Sequence, residues 1–163
     1  SDLRGPASQE TCRRASPYPR SAGGAEKEDD VTTVPDPSPH AAAPAPTTVL
    51  VCLTCRREGD AAGAPRAGAR LHEALAACAA DRDDVTVVGV ECLSVCKRPV
   101  TIGFASPAKW TYVYGDFDET AAEAILATAG LYGAAADGLI PWKMRPDAFK
   151  KGVVARIPPW GKA

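Results

Sequence analysis

Histidine is scarce in this chain: His40 and His72 are its only two among 163 residues. An imidazole-rich metal site is therefore excluded, and no Ser-His-Asp arrangement can be assembled. A Gly-rich phosphate loop is missing. So is any run of eighteen or so apolar residues, so no membrane-spanning helix is expected. The formal net charge of -1 offers no global attraction to nucleic acid. The tryptophans near the end of the chain lack the periodic spacing of a single-strand nucleic-acid platform. The first residues do not show the basic, apolar and small-residue order of a secretory signal, so the expected compartment is the cytoplasm. Neither an enzyme with its own catalytic groups, nor a nucleic-acid binder, nor a membrane protein is expected.

What the chain does have is cysteine, six in all. In a reducing compartment these are expected to serve ligation or redox chemistry rather than structural disulfides. Four of them form two pairs, Cys52-Leu-Thr-Cys55 and Cys92-Leu-Ser-Val-Cys96. Each pair follows a short apolar run, Thr48 to Cys52 and Val85 to Val90, that reads as a buried strand. An Ala-rich helical stretch lies between them. Strand, helix, strand is a βαβ unit, whose strands run parallel with a right-handed crossover. If the strands are neighbours, their C-terminal ends share one edge of the sheet, and the four thiols meet there.

Around this unit the chain divides into three parts. Residues 1–46 contain eight of the fifteen prolines, and their only aliphatic residues beyond Ala are Leu3, Val31 and Val34. Such a segment does not bury enough apolar surface to offset its ordering entropy and is expected to be a disordered tail with a Pro/Ala linker. Cys12 falls in it and is excluded from the site. A second reading is open for residues 1–30. Lys27 through Val31 back-translates to AAG GAG GAC GAC GTG, a ribosome-binding site before a GTG start. Ser8 through Cys12 back-translates to a string resembling the signature box of cobalamin riboswitches. On this reading residues 1–30 are translated leader, the native protein begins at Val31, and its gene is under cobalamin control.

Residues 47–136 read as the metal-binding domain. The first helix is expected from about Arg66 to Ala80, with Leu71, Leu75 and Cys78 as its buried stripe and His72 solvated. Cys78 is thus a core thiol. Val100–Phe104 and Lys109–Tyr114 form a hairpin around the Ser106-Pro-Ala108 turn. Asp118 caps a second helix whose inner face is Ala122, Ile125, Leu126 and Ala129. Asp116, Asp118 and Glu119 are read as cap and dipole charges. Residues 137–163 form an arm bearing Lys143, Arg145, Lys150, Lys151, Arg156 and Lys162 against Asp137 and Asp147. Pro146 opens a short helix there. The arm is expected to pack back on the domain through Trp142, Phe149 and Trp160; docking on an acidic partner is the alternative.

The order β-α-β-β-β-α, in an α/β domain, is that of a minimal thioredoxin-like fold. The cysteine spacing, C-x2-C, thirty-six residues, then C-x3-C, resembles the thioredoxin-like [2Fe-2S] ferredoxins and the matching subunit of respiratory complex I. The first pair is tighter here than in those proteins. The stretch 48–159 also resembles a family of bacterial proteins described as predicted metal-binding. The residues that carry this likeness are Val49 to Cys55, Glu91 to Pro99, and Pro141-Trp-Lys-Met-Arg-Pro146. The family resemblance implies a link to cobalamin synthesis.

Four readings of the site remain. A [2Fe-2S] cluster needs four thiolates, here Cys52, Cys55, Cys92 and Cys96, and makes the protein a single-electron carrier. Structural zinc on the same four is the second, although zinc ribbons favour two C-x2-C pairs. A thioredoxin-type pair at Cys52 and Cys55 is the third; Gly63 and Pro65 delay the helix that would activate it. A metal carrier, for cobalt among others, is the fourth. Arg56, Arg57, Lys97 and Arg98 flank the pairs. They are expected to favour thiolate ligands and to form a landing patch for an acidic redox partner protein.

Overall fold

The computed structural model describes residues 45–160. The expectations placed on residues 1–44, including the translated leader, Cys12 and His40, lie outside the described residues, as does Lys162. The described residues belong to one unit, Pro44–Ala163.

Strand β1 (Thr47–Cys52) leads through a loop into helix α1 (Ala67–Cys78) and strand β2 (Val85–Val90). Strands β3 (Ile102–Ala105) and β4 (Thr111–Tyr114) follow, then a 3-10 turn (Glu119–Ala121) and helix α2 (Ala122–Ala134). A second 3-10 turn (Trp142–Met144), a short helix α3 (Asp147–Lys151) and strand β5 (Val153–Ile157) complete the chain. The sheet order is β2-β1-β3-β4-β5. β1 and β2 are parallel, and the other three pairings are antiparallel. The domain is thus α/β, and its strands and helices follow the expected β-α-β-β-β-α order before α3 and β5 are added.

The sheet has one deeply buried face, and strand alternation decides which residues make it. Val49, Val51, Ile102, Phe104, Tyr112 and Tyr114 point to it and are fully buried. Their neighbours Leu50 and Val113 are half-buried, and Val88 on edge strand β2 is exposed. Helices α1 and α2 pack over β1 and β2. α1 contributes Leu71 and Leu75; α2 contributes Ala122, Ile125, Leu126, Ala129 and Tyr132. Cys78 is half-buried against this core, but it is disulfide-bonded rather than the core thiol the sequence suggests. His72 is half-buried rather than solvated.

Two strands start later than expected because tertiary contacts claim their first amides. Val100 exchanges backbone hydrogen bonds with Phe117. Trp110 donates its N–H to Asp137 O at 2.8 Å.

The arm corrects a larger expectation. It enters the sheet: β5 pairs with β4, with a bulge at Val113/Tyr114. Of its three large aromatics only Phe149 packs inward, fully buried, with ring centroids 5.9 Å from Phe104, 5.0 Å from Tyr114 and 5.1 Å from Phe117. Ile140 is the other anchor, at 1% exposure. Trp142 and Trp160 remain exposed, at 61% and 104%. Backbone pairing and Phe149 hold this segment, so its tryptophans are not needed for docking to the core. Among the described residues no helix is long and apolar enough to cross a membrane.

Candidate metal centre

The site is built by strand register. Cys52 is paired with Val90 at the C-terminal ends of β1 and β2. The parallel alignment continues past both strands: Leu53 N–H donates to Val90 O at 2.8 Å and Thr54 N–H to Glu91 O at 3.3 Å. The two cysteine loops therefore leave the sheet side by side, although thirty-six residues separate the pairs. Cys52, Cys55 and Cys96 line one open cleft of about 240 Å³, together with Arg56, Arg66 and the apolar Val95 and Pro99. Cys92 is not among its lining residues. Its thiol accepts the Ser94 N–H at 3.3 Å within its own loop.

The expected meeting of four thiols is thus met by three. Among the described residues no group of three or more His, Cys, Asp or Glu is drawn together tightly enough to hold a metal as it stands. The reason lies in where the pairs sit. Cys52 and Cys55 follow the central strand β1 and are buried. Cys92 and Cys96 are exposed on the loop after β2, which among the described residues is an edge strand of the sheet. Ser94 takes a left-handed conformation there, with φ 58. In kind, the donors suit a [2Fe-2S] cluster, whose four ligands are thiolates. No imidazole or carboxylate lines the cleft. Cys92 stands four residues from Cys96 on the loop that borders it.

Helix α1 reaches the buried pair in spite of the long loop before it. A Cβ on Gly68 would lie 2.0 Å from Cys52 O and 3.3 Å from Cys55 Cβ, so only glycine lets the first turn sit there. Gly68 N–H donates to Cys55 O at 3.1 Å. The expected delay at Gly63 and Pro65 does not separate the helix start from the cysteines, because the loop folds back. Asp60 fixes that fold: its Oδ2 accepts the N–H of Arg57 at 3.0 Å and of Ala67 at 3.2 Å, while Oδ1 meets Arg70 at 3.0 Å. It stands in for the side-chain cap that Arg66, at the N-cap, does not provide.

The Arg57 N–H and the Arg70 guanidinium hold the Asp60 carboxyl below its usual range. A depressed carboxylate contributes stability that is present above its unfolded-state pKa of about 3.9 and is lost as pH falls through the lower folded value. Asp60→Asn should therefore melt with a shallower acid dependence than the unmodified chain below about pH 4. Thermal melts of the two proteins compared at each pH isolate this term from the other carboxylates.

Two buried threonine contacts complete the frame. Cys52 N–H donates to Thr101 O at 3.0 Å, and the Cys55 thiol lies 3.9 Å from Thr101 Oγ1. Thr101 Oγ1 in turn donates to Arg98 O at 3.2 Å. Thr101, fully buried, thus links the first cysteine turn to the second loop. The two thiols of the first pair differ. Burial opposes ionisation of Cys52, but the Leu93 backbone N–H, the Cys55 thiol and Thr54 together bring it below its ordinary value. Burial pushes the Cys55 thiol up, and its neighbour Cys52 adds to this.

The flanking charges are redistributed from what their order suggests. Arg57 pairs with Asp118 at 2.8 Å, and Arg98 with Asp116 at 2.6 Å. Arg98 also donates to Lys151 O at 3.0 Å and Val153 O at 3.1 Å, tying the second loop to the start of β5. Glu119 takes Arg70 at 3.2 Å. The three carboxylates read as cap and dipole charges thus each hold an arginine. Asp118 also caps the 3-10 turn, accepting Thr120 N–H at 3.0 Å. Of the four expected cations Arg56 lines the cleft, and it is joined by Arg66, which was not anticipated. Arg66 donates to Thr54 O at 3.1 Å and so braces the Cys52–Cys55 turn. Nothing in the local pattern around Arg66 marks it, since the loop 53–66 must fold back to bring it there.

No curated protein matches the chain. Among solved structures it is similar to a thioredoxin-like [2Fe-2S] ferredoxin from Aquifex aeolicus, at 14% identity and a TM-score of 0.47, over 73% of this chain and 99% of that one. The family model "Protein of unknown function (DUF1636)" matches residues 49–159, nearly the stretch in which the sequence motifs lie, and the chain belongs to that family.

Proposed function

We propose that this protein is a small electron carrier in which Cys52, Cys55, Cys92 and Cys96 hold a [2Fe-2S] cluster. The observation that carries the reading is the cleft shared by Cys52, Cys55 and Cys96 at the C-terminal ends of two parallel, neighbouring strands. When bound, such a cluster takes up and releases one electron at a time. The chain's part is to hold the ligands. The α1 start and Thr101 fix the buried pair, while the exposed loop from Cys92 to Cys96 brings the other two. Arg56 and Arg66 supply positive charge beside a centre that is anionic in both oxidation states. The protein is a carrier rather than an enzyme, working in the cytoplasm with an acidic redox partner that meets the exposed Arg56 and Lys97. A reductive step in cobalamin synthesis or cobalt handling is the consumer suggested by the family resemblance and by the codon reading of residues 1–30.

The test is an anaerobic visible spectrum with metal analysis. A red-brown protein, absorbing between roughly 400 and 600 nm, with about two irons per chain and bleaching by dithionite, is the expected result. A colourless protein with one zinc per chain would replace this reading with a non-redox four-thiolate site, structural or carrying.

A further inference from the structure

Two arginines stand apart from the rest. Among the described residues, Arg57, Arg70, Arg82 and Arg98 each pair with a carboxylate. Arg145 and Arg156 lie over aromatic rings. Arg56 and Arg66 do neither, and both line the thiol cleft. The same cleft has three cysteines and is open, and the fourth cysteine lies outside its lining. Its remaining wall is Thr54 and the apolar Val95 and Pro99.

From this we infer that the cleft accepts a low-molecular-weight thiol bearing a carboxylate as an exchangeable ligand of the metal centre. Arg56 and Arg66 receive the carboxylate, the carbon chain lies on Val95 and Pro99, and the sulfur takes the position otherwise filled by Cys92. The inference rests on the cluster reading above. The chemistry is ligand exchange without change of oxidation state. With a cluster bound, the incoming thiol would give its proton to solvent and form an iron–sulfur bond, while the bond to Cys92 would break and that thiolate would take up a proton. Cys52, Cys55 and Cys96 are the fixed ligands. Guanidinium pairs suit a carboxylate because their planar donors match its two oxygens.

The experiment uses Cys92→Ala, which removes the thiol without offering an oxygen in its place. The full chain and the variant are reconstituted anaerobically with iron and sulfide, in N-acetylcysteine or in its neutral amide. Iron, sulfide and retained thiol per chain are then measured after gel filtration. The full chain is expected to hold two irons in either medium. Cys92→Ala is expected to hold two irons and one N-acetylcysteine, and to need about tenfold or more of the amide for the same loading. Arg56→Gln and Arg66→Gln, each added to Cys92→Ala, should remove that preference. A variant that stays empty of iron in N-acetylcysteine, while the full chain loads, overturns the inference and leaves the cluster reading standing. Equal loading by acid and amide, or loading without any added thiol, also overturns it. A full chain that binds no iron removes both.

Discussion

Cys96→Ser is expected to reduce the iron content from about two per chain to well below one, while Cys78→Ser leaves it unchanged. Both replace one sulfur by one oxygen, so size does not separate them. Position does. Cys96 lines the cleft with Cys52 and Cys55 and is exposed, so its loss removes a ligand without opening a hole in the core. Cys78 is on the last turn of α1 and packs against the hydrophobic cluster. It is disulfide-bonded, so its replacement breaks that bond, places a hydroxyl against apolar neighbours and acts on stability rather than on metal. Cys96 is a cleaner probe than Cys52 or Cys55, which are 3% and 7% exposed and contribute to the core as well as to the site. Metal analysis and melting of the metal-free proteins separate the two effects. Equal loss of iron from Cys78→Ser and Cys96→Ser would show that the ligand set is wrongly assigned.

Gly68→Ala is expected to destabilise the protein by about 3 kcal/mol, toward the upper end for overpacking, and to impair metal loading with it. The added methyl would meet Cys52 O at 2.0 Å, and a backbone carbonyl cannot turn aside as a flexible side chain can. Helix α1 must move away from the cysteine turn, and the Gly68 N–H to Cys55 O bond goes with it. The helix preference for Ala over Gly, about 1 kcal/mol, is too small to compensate. Gly130→Ala is the control. It lies in α2, where a Cβ would touch only Arg82 Nη2 at 3.5 Å, an ordinary contact. There the same substitution should stabilise by up to about 1 kcal/mol. Denaturant melts of both variants, with alkylation rates of Cys52 in the metal-free protein, give the comparison. Unchanged stability and unchanged Cys52 protection in Gly68→Ala would mean that α1 does not seat on the cysteine turn.

Sequence alone determined the elements whose signal is local. β1 and β2 are apolar runs bounded by polar turns, and α1 and α2 repeat their apolar positions at helical spacing. Each therefore appears within a window of some ten residues. The neighbouring cysteine ends also followed, because a βαβ crossover permits few arrangements. What the tertiary structure decided involves residues distant in sequence. β5 is five residues between two lysines and two prolines, with a bulge interrupting its pairing, and only β4 makes it a strand. Phe149 was set apart from Trp142 and Trp160 by the ring cluster that surrounds it, not by anything in its own segment. Arg57 and Arg98 looked like site cations until Asp118 and Asp116, sixty-one and eighteen residues on, took them up. Arg66, Gly68 and Thr101 became part of the site because a loop folds back and a helix docks. Such contacts depend on distance and direction in three dimensions, which no periodicity of residue types encodes.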